Sequence, residues 1–102
     1  MTEKICYQLT YSKKDRIKYI SHLDMVNVFD RAMRRCKFPV YYTEGFNPRI
    51  KISFNKAHAV GAEVASDTCK VYFLQECAPS TIAQKLNEAL PKGITIDHVE
   101  KT

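Results

Sequence analysis

The sequence contains no tryptophan, only three glycines among its 102 residues, and no long apolar run. A membrane-spanning helix needs about 20 consecutive apolar residues, so none is predicted here. The first residues, MTEKICYQLTYSKK, also lack the apolar stretch of a secretory signal peptide. We therefore expect a cytoplasmic protein that has no membrane as a partner.

The four cysteines lack the spacing of a metal site. A tetrahedral zinc or iron–sulfur site usually takes its ligands from close pairs of cysteines. No such pair occurs among Cys6, Cys36, Cys69 and Cys77. Cytoplasmic thiols stay reduced, and three of these four fall within apolar patterns. We therefore predict buried structural thiols, with no metal ion and no other cofactor.

The chain also lacks a phosphate-binding glycine loop and the motif of a catalytic nucleophile. It does carry positive charge, since sixteen Lys and Arg residues against eleven Asp and Glu residues give a net charge of +5. Such a surplus suits RNA or an acidic protein surface, although domains that bind no anion often share it. At this length, residues 1–102 are predicted to form one domain.

The hydrophobic pattern predicts the fold class. Apolar residues alternate where strands are expected and recur at helical spacing between those strands. The resulting order is strand, helix, two or three strands, helix, strand. It predicts an α+β fold of the ferredoxin-like βαββαβ plan, with two helices on one face of an antiparallel sheet and one extra strand or extended hairpin. The segment 55–66 has no clear pattern. The expected strands are 4–11, 40–43, 50–54, 68–75 and 94–99.

Two helices are expected between these strands. The second opens at Pro79, and its apolar stripe is Ile82, Leu86, Ala89 and Leu90. The first begins after Ser21, a good N-cap residue, and stops before Pro39. Asp30 and Arg34 within it are spaced to form an i,i+4 ion pair. Its expected buried stripe is Leu23, Val26, Phe29, Met33 and Cys36. The residues expected on its solvated side are Asn27, Asp30, Arg31 and Arg34.

Arginines near the end of the first helix are candidate phosphate ligands. The planar guanidinium of Arg31, Arg34 or Arg35 matches phosphate oxygens in geometry. The alternative is a solvated helix face whose cations meet the negative end of the helix dipole. Arg49, Lys51 and the basic loop 12–18 are expected to extend the same positive surface.

The turn EGFNP, residues 44–48, contains the most unusual single residue, Phe46. Gly45 permits a positive φ, and Asn47 followed by Pro48 favours a turn. A large aromatic side chain beside Asn47 suits a platform on which a nucleic-acid base stacks. In the alternative interpretation, Phe46 folds back and closes the edge of the core.

His22 and Asp24 are weak candidates for acid–base chemistry. They are two residues apart on a helix, so their side chains point to different sides and form no dyad. Asp24 is explained by capping of the helix. His22 is expected either to pack at the edge of the buried stripe or to contact a ligand. No catalytic residue is predicted, and an enzyme that uses His22 with a distant carboxylate is the least favoured alternative.

Several short motifs in this region resemble a known family. They are Ser21-His22-Leu23-Asp24, Arg34-Arg35, Phe38-Pro39, Gly45-Phe46-Asn47-Pro48 and Ser53-Phe54. Together they resemble DUF2344, a radical-SAM-linked domain of unknown function. The resemblance implies association with a radical SAM protein and no established activity. This chain lacks the C-x-x-x-C-x-x-C motif of a radical SAM catalyst, and Lys70 stands where an acidic residue is usual.

Two functions fit these features. The first is a binding module that recognises RNA or a ribonucleoprotein substrate in association with a radical SAM protein. The second is a protein-interaction module that docks on a radical SAM enzyme and contacts no nucleic acid. The candidate binding residues are His22, Arg31, Arg34, Arg35, Phe46, Asn47, Arg49 and Lys51.

The open face of the sheet bears on which RNA mechanism is expected. An RRM-type protein stacks bases on aromatic residues of its central strands. The residues expected on the open face here are Gln8, Thr10, Lys51, Ser53, Lys70 and Tyr72. A face with one aromatic residue disfavours that mechanism, although contacts to phosphates remain open.

Overall fold

A computed structural model of the chain describes residues 4–14, 17, 19–55 and 64–102. The described residues form an antiparallel sheet with strand order β2-β3-β1-β4 and two helices. The predicted α+β class is confirmed, and the order of the elements is βαββαβ. The elements are β1 (Ile5–Lys13), α1 (His22–Cys36), β2 (Ile52–Phe54), β3 (Val64–Phe73), α2 (Pro79–Ala89) and β4 (Ile94–Lys101).

The core lies between the sheet and the helices. Alternate residues of β1 point into it, and the ring of Tyr11 packs edge-on against Phe29 of α1 and Phe54 of β2. Ile82 and Leu86 of α2 belong to the same buried cluster. Burying one such large apolar side chain contributes roughly 1.5–3 kcal/mol. Both helices are therefore held on one face of the sheet, and the opposite face is open.

Helix α1 begins at the residue that the sequence predicts. The hydroxyl oxygen of Ser21, the N-cap, accepts a hydrogen bond from the backbone N–H of Asp24 at 3.1 Å. The helix ends at Cys36 because Lys37 adopts the left-handed conformation with φ 58°. In that conformation Lys37 donates its N–H to the carbonyl oxygen of Arg34.

The predicted buried stripe of α1 is wrong in two respects. Leu23 is 55% exposed and Val26 is only half-buried, and Met25 and Ala32 are buried instead. Asp30, expected on the solvated side, is also buried. The helix turns Met25, Phe29 and Met33 towards the sheet. Because consecutive helical residues lie about 100° apart, this rotation brings Asp30 to the boundary of the core.

The segment between α1 and β2 forms the extended hairpin that the sequence allows, instead of a separate short strand. It makes isolated bridges rather than a continuous ladder. The N–H of Tyr41 donates to the carbonyl oxygen of Tyr72 at 2.8 Å, which holds the hairpin against β3. The N–H of Thr43 donates to the carbonyl oxygen of Arg49 at 2.7 Å and closes residues 44–48, the hairpin loop.

The cysteines and one lysine differ partly from expectation. Only Cys69 is fully buried, and its burial raises the pKa of the thiol to about 12. Lys13, predicted to lie in the basic loop, is buried at the end of β1, and this burial lowers its pKa. The half-buried free cysteines are Cys6, Cys36 and Cys77.

Two parts of the sequence prediction lie outside the described residues. They are Arg16 and Lys18 of the basic loop, and residues 56–63 of the segment without a clear pattern. Neither of the described helices is long and apolar enough to cross a membrane.

Gly93, which directly precedes β4, provides a test of the packing between the end of β1 and the start of β4. Its φ is +102°, and a Cβ added there would lie 2.6 Å from the carbonyl oxygen of Lys14. We expect Gly93→Ala to lower the free energy of unfolding by about 1–3 kcal/mol from its backbone conformation alone, and further through the clash. Urea unfolding measures the change.

Gly45→Ala is the matched control for this substitution. Gly45 also has a positive φ, +138°, but a Cβ there would meet no atom within 4 Å. Both variants carry the conformational cost, and only Gly93→Ala carries the clash. Equal destabilisation of the two variants would contradict the close approach of Gly93 to Lys14.

Candidate functional site

An open groove of about 540 Å³ lies between helix α1 and the hairpin loop, and we call it the α1–hairpin groove. Arginines and an exposed aromatic ring make up much of its wall. Five of the eight candidate residues from the sequence lie here, namely Arg31, Arg34, Phe46, Asn47 and Arg49. The complete lining is Asn27, Asp30, Arg31, Arg34, Phe46, Asn47, Pro48 and Arg49.

The buried carboxylate of Asp30 joins the two walls of this groove. Its Oδ1 accepts a hydrogen bond from Nε of Arg34 at 2.5 Å, which confirms the predicted i,i+4 pair. Its Oδ2 accepts from the backbone N–H of Ile50 at 3.4 Å, across the hairpin. A buried carboxylate needs such partners, because an unpaired charge away from water is strongly unfavourable. Asp30 thereby fixes the hairpin to the helix.

Arg34 reinforces the same connection. Its Nη2 donates to the carbonyl oxygen of Pro48 at 3.0 Å, and its guanidinium lies 4.4 Å from the centre of the Tyr42 ring. The hydrogen bond to Asp30 is the main cause that raises the pKa of Arg34 above its ordinary value. Arg34 therefore acts first as a positioning residue, although its half-exposed side chain still faces the groove.

The hairpin loop holds Phe46 in solvent. The ring is fully exposed, with a relative accessibility of 104%, so the interpretation that Phe46 closes the edge of the core is wrong. The loop is closed at its base, where Arg49 donates its N–H to the hydroxyl oxygen of Thr43 at 3.3 Å. Gly45 supplies a positive φ of 138° within it. An ordered turn thus presents an aromatic ring beside the exposed cation of Arg49.

Three predicted site residues lie outside the groove lining. His22 is exposed and packs edge-on against Phe54, with ring centroids 5.1 Å apart. Arg35 lines a separate cleft together with Lys85 of α2. Lys51 lies on the open face of the sheet. Of the two expectations for His22, packing at the edge of the buried stripe or contact with a ligand, this contact agrees with the first.

Sequence reasoning missed Asn27 and Asp30 as parts of the site. Asn27 is one helical turn from Arg31, so its position on the same wall follows from helical spacing. The role of Asp30 could not be read in this way, because its second partner is a backbone N–H twenty residues further along the chain.

The chemistry of the groove suits the binding of an anion. Three arginines line it, and its single carboxylate is paired with one of them. Within the described part of the chain, no group of three His, Cys, Asp or Glu side chains is placed to hold a metal ion. The groove combines cations, two amides and one exposed aromatic ring, and these groups suit a ligand with phosphates and planar bases.

Removing the Asp30 carboxylate should loosen the hairpin. We expect Asp30→Ala to leave the N–H of Ile50 without its acceptor, which costs about 1–3 kcal/mol for a buried donor. Amide hydrogen exchange of Ile50 should become faster, and the urea midpoint should fall. Asp97→Ala removes an exposed carboxylate of β4 and serves as the control. Identical exchange and midpoints in the two variants would contradict this role of Asp30.

Comparison with known proteins agrees with the motifs in the sequence. No curated protein matches the chain. The family description that does match extends over residues 6–102, and these include α1, the hairpin loop and all four strands except Ile5. The chain belongs to the family described as uncharacterized protein conserved in bacteria (DUF2344).

Proposed function

We propose that the α1–hairpin groove binds a single strand of RNA. In this proposal Phe46 stacks on a base, and Arg31 and Arg49 contact phosphates on either side of it. The observation that carries the proposal is the complete exposure of Phe46 within a groove lined by three arginines. Stacking on aromatic residues and cations along the backbone are the two devices by which proteins hold single strands.

The exposure of Phe46 supports a stacking role on energetic grounds. A phenylalanine that contributes nothing to the core gains no burial on folding, and a polar residue would serve a solvated turn equally well. The loop that holds the ring is ordered by bonds of Thr43, Arg49 and Pro48. A ring presented by an ordered loop loses little conformational freedom when a base stacks on it.

The arginines of the groove have different roles in this proposal. Arg34 already donates to Asp30 and Pro48, so it supports the loop and adds positive potential. The exposed side chains of Arg31 and Arg49 form the phosphate contacts. In the proposal the amide of Asn47, which can both donate and accept, bonds the edge of the stacked base.

The physiological substrate in this proposal is RNA or a ribonucleoprotein, recognised in association with a radical SAM protein. The family resemblance motivates the radical SAM part of the proposal. The groove would hold the RNA while the partner supplies any chemistry.

Phe46 provides the first test. We expect Phe46→Ala to weaken binding of a labelled single-stranded RNA by about 5- to 150-fold, which corresponds to roughly 1–3 kcal/mol for one stacked base. Its urea midpoint should not change, because the ring has no buried contact to lose. Leu23→Ala also removes an exposed apolar side chain, one that does not line the groove, and should bind as the wild type does. Fluorescence anisotropy measures the affinities. Wild-type affinity of Phe46→Ala for the RNA would contradict the stacking role of Phe46.

The salt dependence of binding tests the arginines. Each phosphate contact to a single strand contributes about 0.7 to the slope of log K against log salt. Arg31→Gln combined with Arg49→Gln should therefore reduce the magnitude of the slope by about 1.4. Lys85→Gln combined with Lys92→Gln removes the same charge from residues outside the groove lining and should keep the wild-type slope. An equal reduction of the slope in both double variants would mean that net charge alone causes the effect.

The rival function is docking on a radical SAM enzyme without RNA. The same exposure of Phe46 favours it, because aromatic side chains commonly anchor protein interfaces. Phe46→Leu separates the two functions, since leucine keeps an apolar anchor but offers no ring for stacking. Docking predicts a partner that is retained at high salt by wild type and by Phe46→Leu, and lost by Phe46→Ala. RNA binding predicts that both substitutions weaken the complex and that salt dissociates it.

A further inference from the structure

The open face of the sheet carries two tyrosines that are each covered by a lysine. Nζ of Lys4 lies 3.9 Å from the centre of the Tyr41 ring, and Nζ of Lys51 lies 5.4 Å from the centre of the Tyr72 ring. Tyr41 follows the buried Val40, so its ring points away from the core. The sequence predicts Tyr72 as the single aromatic residue on this face, and the structure adds Tyr41.

These two tyrosines adjoin a polar hollow. The backbone bond from Tyr41 to Tyr72 makes them neighbours across the hairpin and β3. Two residues before Tyr72 along β3, Lys70 lies opposite Gln8 on one side and Ser53 on the other. All three of these residues line a depression of about 350 Å³ in the sheet. Two rings are thus followed by a basic, hydrogen-bonding hollow.

We propose that this open face, defined by Lys4, Tyr41, Lys51, Lys70 and Tyr72, is a second surface for the RNA strand that occupies the α1–hairpin groove. The proposal rests on the function proposed for that groove. The strand leaves the groove at Arg49, passes the edge of the hairpin, and continues across β3.

The path of the backbone connects the two surfaces. Arg49 lines the groove, and Lys51, two residues further along the same extended segment, lies over Tyr72. One cation on each surface therefore comes from the same short stretch of chain. Glu100, which accepts a hydrogen bond from Gln8 at 3.4 Å, places negative charge on the β4 side. A polyanion is thus directed along the half of the sheet formed by the hairpin and β3.

The lysines that cover the rings do not prevent stacking. A cation–π contact at an exposed site is weak, whereas a base stacked on the same ring interacts over its whole face. Each ammonium group is flexible and can move from the ring to the phosphate next to the stacked base. The tyrosines are accordingly binding positions that the lysines occupy when RNA is absent.

RNA length separates the two surfaces. A strand of about 4 nucleotides fills one site of this kind, whereas about 12 nucleotides can span both. Lys51→Gln combined with Lys70→Gln should weaken the longer strand by about tenfold and leave the shorter one unchanged. Both lysines are exposed, so the double variant should keep the wild-type urea midpoint. Lys85→Gln combined with Lys92→Gln is the matched control and should bind both strands normally.

The outcomes distinguish this inference from the function on which it rests. Substitution of Arg31 and Arg49 should weaken both lengths, whereas the sheet variant should weaken only the longer. Wild-type affinity of the sheet variant for the longer strand overturns the second surface and leaves the groove intact. Loss in the sheet variant together with no loss in the groove variant overturns the groove and keeps the sheet as a binding surface.

Discussion

The candidate surface depends on one buried carboxylate. Asp30 lies on the core side of α1, and it bonds both to Arg34 on its own helix and to the backbone of Ile50 in the hairpin. Through Arg34 the connection reaches the carbonyl oxygen of Pro48 at the end of the hairpin loop. The position of Phe46 relative to the helix follows from these bonds. A hairpin without them would still reach the sheet, but its loop would not be fixed against α1.

The geometry of the helix separates Arg34 and Arg35, two arginines that are adjacent in sequence. Residues three and four apart share a face, whereas adjacent residues lie about 100° apart. Arg31 and Arg34 line the α1–hairpin groove, whereas Arg35 turns towards α2, where it shares a second cleft with Arg31. The adjacent Arg34 and Arg35 consequently have different surroundings. One holds the loop in place, and the other lies in a separate cleft.

Much of this fold follows from local rules in the sequence. The alternation of β1, the cap at Ser21 and the spacing of Asp30 and Arg34 all predict what the structure contains, because each depends on neighbouring residues. The burial of Asp30 could not be predicted, since its cost is offset by an N–H from the distant Ile50. The burial of Met25 instead of Leu23 could not be predicted either. The rotation of α1 about its axis is set by packing against the sheet, which also depends on residues distant in sequence.

The candidate site was predictable to a similar extent. Its residue types and their rough location follow from the cations and the aromatic turn, and Phe46 proved to be exposed. The outward direction of Tyr41 was not evident, because the segment was expected to be an ordinary strand with no partner assigned. The hairpin pairing with Tyr72 determines which face it occupies. The pairing of Tyr41 with the distant Tyr72, which composition does not reveal, therefore adds the second tyrosine to the open face.

Chemical-shift mapping of the isotope-labelled protein with a single-stranded RNA tests the central claim most directly. The account predicts that the largest backbone shifts fall on the hairpin loop, Arg49 and Lys51, with smaller shifts at Tyr41 and Tyr72. Helix α2 should remain unchanged. Shifts concentrated on α2, or no shifts at an RNA concentration well above that of the protein, would contradict an RNA-binding surface fixed by Asp30.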